Sequence, residues 1–246
     1  MNNNEDWFEK YEKIKHLLME PEDFNTYYEA KKRGTLSIDQ MMIGKVNIPT
    51  GKLLVCDPLV AISESSPTLY DMAPKGKFDL EICVVKGGEY GDRYATARIR
   101  FNEHKAVSFR DALFGNEDFE NVEPGAYFGF DVSAGMACIC DSQTRDAYLA
   151  YEKEWSCKND SNIYDGLLAK LFADNAKKNP SYQRQGGDWL DFAIPNSDQN
   201  IIMFQSGFGD GGYPIYWGYD EQNKICQIVV QFIDLTEFEK AINSEE

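Results

Sequence analysis

Residues 201–234, IIMFQSGFGDGGYPIYWGYDEQNKICQIVVQFID, constrain the fold more than any other stretch. Between Ile225 and Phe232, Cys226, Ile228, Val230 and Phe232 share one parity, and Ile225, Gln227, Val229 and Gln231 the other. A period of two with one wholly apolar face is the pattern of a strand with one buried side. Residues 200–205 form a short apolar run, and Ile215, Trp217 and Tyr219 alternate with Tyr216 and Gly218. The turn 221–224 is short enough to join antiparallel neighbours. The stretch therefore predicts an antiparallel meander of three strands.

The loop between the first two strands, Gly207-Phe208-Gly209-Asp210-Gly211-Gly212, matches G-x-G-x-x-G in form. A dinucleotide site needs a helix N-terminus after the last glycine to receive the pyrophosphate. Here Tyr213-Pro214-Ile215-Tyr216-Trp217 follows, which announces a strand and argues against a nucleotide cofactor. The glycines serve a turn that needs positive φ. Alternatively, the bare backbone of Gly209, Asp210 and Gly211 forms a binding lip beside Tyr213, Tyr216 and Trp217. These six residues are the candidate site.

The run SGFGDGGYPIYWGYD, with PTGKLLVCDPLV nearer the N-terminus, resembles a bacterial family, domain-of-unknown-function family 4241. The resemblance extends from about Thr50 to Phe232. Family members usually carry tryptophan where this chain has Phe208, and an aspartate near Ser133. The resemblance implies kinship of fold and brings no activity with it.

Composition narrows the partners. Forty-one acidic against 25 basic residues give a net charge of −16, which opposes nucleic acid and anionic membrane as partners. It suits a basic protein or a small molecule. The opening MNNNEDWFEKYEK lacks the apolar core of a secretory signal. No apolar run approaches the ~20 residues of a spanning helix, so a soluble, cytoplasmic protein is expected. Six cysteines lie scattered through strand-like runs and are expected to be reduced.

Along the chain, residues 6–19 place Trp7, Phe8, Tyr11, Ile14 and Leu18 on one helical face, and residues 22–34 read as a further polar helix. Residues 41–48 and 52–56 read as strands. Residues 78–85 and 94–101 form a hairpin whose solvated face sets Asp79 and Glu81 against Arg98 and Arg100. Residues 145–155 and 163–176 read as helices. Asp234-Leu235-Thr236-Glu237 has the form of a capping box opening a last helix. The expectation is one α+β domain with a largely antiparallel, twisted sheet of about eight to ten strands. It divides into a helical segment 1–35, a first β region 40–142, a helical insertion 143–178, a second β region 186–234 and a C-terminal helix 235–246.

Chemistry-bearing motifs are few. There is no C-x-x-C, and the histidines are His16 and His104 alone; Cys138 and Cys140 read as core, so no metal is expected. Asp57, Asp131, Asp141, Asp188, Asp191, Asp210 and Asp220 stand at strand ends and glycine turns. Aspartates there cap turns, and a hydrolase places its acid–base groups there as well. Binding without turnover is the favoured reading: an immunity- or regulator-type partner of a basic protein. The alternative is a small hydrolase using carboxylates, with Mg²⁺ or Ca²⁺.

Overall fold

Alternating apolar residues pair into two antiparallel sheets. The protein is described by a computed structural model covering residues 3–87 and 90–244. In the larger sheet the order is β1 (Lys32–Arg33), β2 (Leu36–Ile48), β4 (Gly76–Val85), β5 (Arg93–Arg100), β12 (Ile225–Gln231), β11 (Gly211–Tyr219) and β6 (Ser108–Asp111). An eighth strand, β7 (Gly129–Val132), pairs with the first half of β11, while β6 takes the second half. The smaller sheet runs β3 (Leu53–Cys56), β8 (Met136–Asp141), β10 (Asn200–Gln205), β9 (Trp189–Ala193). With helices at the start, middle and end, this is an α+β fold.

One row of side chains shows how the core is made. Trp217, Ile228, Ile99 and Leu80 stand in register across β11, β12, β5 and β4, and all four are fully buried. They belong to the same cluster as Leu53, Val55, Ala137, Ile139, Ile202 and Phe204 from the smaller sheet. The opposite parity of the smaller sheet, Leu54, Cys56, Cys138, Cys140, Ile201 and Met203, packs against Tyr148, Ile163, Leu168 and Phe172. Those strands are apolar on both faces because each face is covered, as their unbroken apolar runs require. Each fully buried side chain of this size contributes ~1.5–3 kcal/mol of transfer free energy.

The helical cover comprises α3 (Ser142–Ser156), a π-helical turn at Tyr164–Leu168 and α4 (Ala169–Lys178). Asp141 ends β8 and caps α3, accepting from the Gln143 amide at 2.9 Å. Its carboxylate also receives the amides of Thr50 and Gly51 at 3.0 Å, which ties the turn before β3 to the start of the helix. α1 (Asn3–Ile14) sets Trp7, Tyr11 and Ile14 in a satellite cluster with Leu18, Leu113 and Phe119. α5 (Leu235–Ser244) is capped by Asp234, which accepts from the amides of Thr236 and Glu237.

Three local expectations are corrected. Residues 201–232 are not a meander: β10 pairs with β8 and β9, whereas β11 and β12 lie in the larger sheet. The glycine loop is therefore the crossover between sheets. Residues 22–34 hold one helical turn, α2 (Thr26–Glu29), then β1, rather than a continuous helix. And the charged face of the 78–101 hairpin is covered. Arg98 is 7% exposed, donates through Nε to Glu81 at 2.9 Å, and lies 3.6 Å from the centre of the Tyr28 ring. Phe24, Tyr27 and Tyr28 close over that side of the sheet, Phe24 stacking on Tyr216 at 5.1 Å. Asp79 pairs instead with Lys45, and Arg100 with Glu103.

Candidate functional site

The crossover loop, residues 206–210, is shaped by close approach. Gly207 has φ +57°, and a Cβ there would stand 2.9 Å from Cβ of Phe232. Only glycine fits both conditions. The Gly209 amide closes a turn onto the Ser206 carbonyl at 2.9 Å, and Ser206 Oγ donates to the Gly209 carbonyl at 2.8 Å. The Tyr213 hydroxyl lies 2.7 Å from that carbonyl and 2.9 Å from the carbonyl of Ser206.

Two other turns are tied to this loop. Asp57, fully buried, accepts from the amides of Leu59, Ser133 and Ala134, binding the turn after β3 to the one between β7 and β8. The Ser206 amide donates to the Gly135 carbonyl, and Asp210 accepts from the Gly135 amide at 3.1 Å. Between these turns and the π-helical turn opens a cleft of about 610 Å³. A π turn is an uncommon element that often accompanies functional sites, and Tyr164 at its start lines this cleft.

The cleft walls carry both signs of charge. Arg93 and Arg184 line it with Gln205 and Glu152, alongside Gly207, Phe208 and Gly209. Arg184 is held by Asp188 through Nε at 2.7 Å, and it is two-thirds exposed. Arg93 donates to the carbonyl of Asp92 and stands 5.7 Å from the centre of the Phe208 ring. Among the described residues, no carboxylate pairs with Arg93. Burial pushes the Glu152 carboxyl above its ordinary range, and no cation within the described residues opposes that shift.

The six residues singled out in the sequence divide between loop and core. Gly209 lines the cleft, Asp210 and Gly211 are exposed beside it, and Tyr213 is buried between Phe130 and Phe232 while its hydroxyl braces the loop. Tyr216 and Trp217 are fully buried on opposite faces of β11, within the core cluster. Among the aspartates, Asp57, Asp141, Asp188 and Asp220 serve backbone amides. Asp191 is held up by burial and hydrogen-bonded to Asn200, and Asp131 lies exposed on β7. Among the described residues, no three His, Cys, Asp or Glu groups converge as metal ligands would.

Arg93, Arg184, Glu152 and Gln205 escape sequence reasoning because they come from four separated stretches with no shared motif. The weak signal was the spacing of Arg184 and Asp188, four residues apart.

Architecture and cleft together define a two-sheet α+β protein with a cleft of mixed polar and apolar lining at the crossover between its sheets. Residues 46–230 match the profile of the family described as "Protein of unknown function (DUF4241)", and the chain belongs to that family. Neither a curated protein nor a solved structure matches it. No helix among the described residues is long and apolar enough to cross a membrane.

Proposed function

We propose that this protein binds a small molecule carrying an anionic group in the cleft at the crossover loop. The observation that carries the reading is Arg93: a guanidinium lining the cleft with no carboxylate partner among the described residues. Guanidinium groups match carboxylate and phosphate with paired hydrogen bonds. At about 610 Å³ the cleft has the size of a small-molecule site. The net charge of −16 makes a local pair of arginines the more specific feature, since the surrounding field disfavours an anion elsewhere.

A thermal-shift and calorimetric panel of sugar phosphates, nucleoside monophosphates and dicarboxylates tests the reading. At least one class is expected to raise Tm by several degrees, and Arg93→Ala to weaken it about tenfold or more, since a hydrogen bond to a charged group contributes ~1.5–3 kcal/mol. A panel with no binder, or an Arg93→Ala variant that binds as well as the wild type, rejects it.

Glu152 supports a second reading, a carboxylate-dependent hydrolase acting in the same cleft. Burial raises the Glu152 carboxyl above its ordinary range, so it holds a proton more readily than an exposed carboxyl, as a general acid must. Glu152→Gln would then abolish turnover of a bound ester or phosphodiester while leaving its affinity intact. Binding without turnover in the wild type excludes this reading and leaves the first.

A further inference from the structure

A second cleft lies under α1, lined mainly by aromatic and acidic side chains. It encloses about 200 Å³ between Trp7, Tyr11, Tyr70 and Tyr219, with Asp71 and Asp111 in its walls. The indole of Trp7 and the ring of Tyr70 stand 5.1 Å apart at 38°, and Trp7 is anchored by its Nε1 to the carbonyl of Glu117. Tyr11 donates to Asp111 Oδ2 at 2.9 Å, while Asp111 Oδ1 is buried with no hydrogen-bond partner. Among the described residues, neither Asp71 nor Asp111 meets a cation within ion-pair distance. Arg110 stands in the same cleft but lies 4.3 Å above the Tyr219 ring and donates to Asn223. Burial raises both aspartate carboxyls above their ordinary range, and at Asp71 the Arg110 charge offsets only part of that rise, so each would gain from a positive charge brought alongside.

Aromatic faces and partly buried carboxylates around a small volume are the elements of an organic-cation site. Ring quadrupoles attract ammonium groups within about 6 Å, most strongly when water is excluded. Among the described residues no three carboxylates converge here as metal ligands would, and an anion would meet Glu12, Asp71 and Asp111. We propose that this cleft binds an alkylammonium group, as on a lysine side chain or a free amine, with Asp111 and Asp71 as counter-ions and Trp7, Tyr11 and Tyr70 as its walls. The proposal stands independently of the crossover cleft, whose ligand has the opposite charge. The protein's net charge of −16 would concentrate such cations at its surface.

Titration with n-butylammonium, tetramethylammonium and a short lysine-containing peptide, followed by tryptophan emission, tests it. Sodium chloride at equal ionic strength and sodium butyrate serve as controls. Saturable quenching is expected with at least one ammonium probe and with neither control, and it should vanish in Trp7→Phe. Preference for the peptide over n-butylammonium would assign the group to a protein partner, and the reverse order to a free amine. Asp111→Asn should weaken binding about tenfold, as loss of a desolvated counter-ion does. If that variant unfolds, Asp71→Asn, which leaves the Tyr11 hydrogen bond in place, should still weaken binding several-fold. Quenching equal to that by sodium chloride, or affinities unchanged in Asp71→Asn and in a folded Asp111→Asn, would overturn the proposal.

Discussion

Arg98 shows how far a residue's energetics depend on what lies above it. On an open sheet its pairing with Glu81 would contribute ~0–1 kcal/mol. Here the guanidinium is 7% exposed and stacked on Tyr28, while the Glu81 side chain keeps 28% of its exposure. Removing one partner of a fully buried pair costs ~3–5 kcal/mol. Solvent at Glu81 screens part of that, so Arg98→Ala is expected to cost about 2 kcal/mol by urea denaturation. A loss well under ~1 kcal/mol would mean that residues 24–28 do not close over the sheet in solution. The spacing of charges along β4 and β5 was legible in the sequence, and so was the cross-strand pairing of Glu81 with Arg98. Their cover was not. It arrives from a segment more than fifty positions upstream, within the residues 22–34 that read as a polar helix.

At the scale of elements, that same segment is fastened to the far end of the chain through Glu22. Arg33 grips its carboxylate with two nitrogens at 2.8 Å each, Thr236 of α5 donates at 2.6 Å, and Tyr27 donates from beneath. Burial pushes the Glu22 pKa up, but the hydrogen bonds from Arg33, Thr236 and Tyr27 outweigh it and hold the group below its ordinary 4.5. A depressed folded-state pKa stabilises the fold above the unfolded value and loses that contribution as pH falls through the folded one. The protein should therefore lose stability as pH drops below about 4.5, and Glu22→Gln should lessen that acid sensitivity while lowering stability at neutral pH. Equal acid slopes in variant and wild type, read from denaturant midpoints at stepped pH, would show that other carboxylates dominate. Sequence periodicity located most of the longer strands, because parity alone marks a buried face. It could not assign partners: the apolar run 200–205 is as compatible with β11 as with β8, and the crossing into the other sheet falls at Gly207, packed close against Phe232.

For the whole molecule, the two sheets share one interior. Ile202 and Phe204 of the smaller sheet lie in one cluster with Ile82, Ile99 and Trp217 of the larger. At Gly44 in β2 a Cβ would stand 2.7 Å from side-chain atoms of both Ile202 and Asp191, so the sheets meet there at backbone distance. Neither sheet can leave the other without exposing these side chains, each worth ~1.5–3 kcal/mol when fully buried. The helical cover 142–178 packs on the outer face of the smaller sheet and so depends on the same interior. We therefore expect one unfolding transition. Tryptophan emission reports Trp217 in the larger sheet and Trp189 in the smaller, with Trp7 on α1 and Trp155 on α3, while far-ultraviolet circular dichroism is dominated by the helices. In guanidinium the two signals should share one midpoint and one slope, as a two-state unit requires. Separated midpoints, with helical signal lost first, would instead make the smaller sheet and its helices a unit that opens on its own. The cleft at the crossover would then be a seam between two folding units.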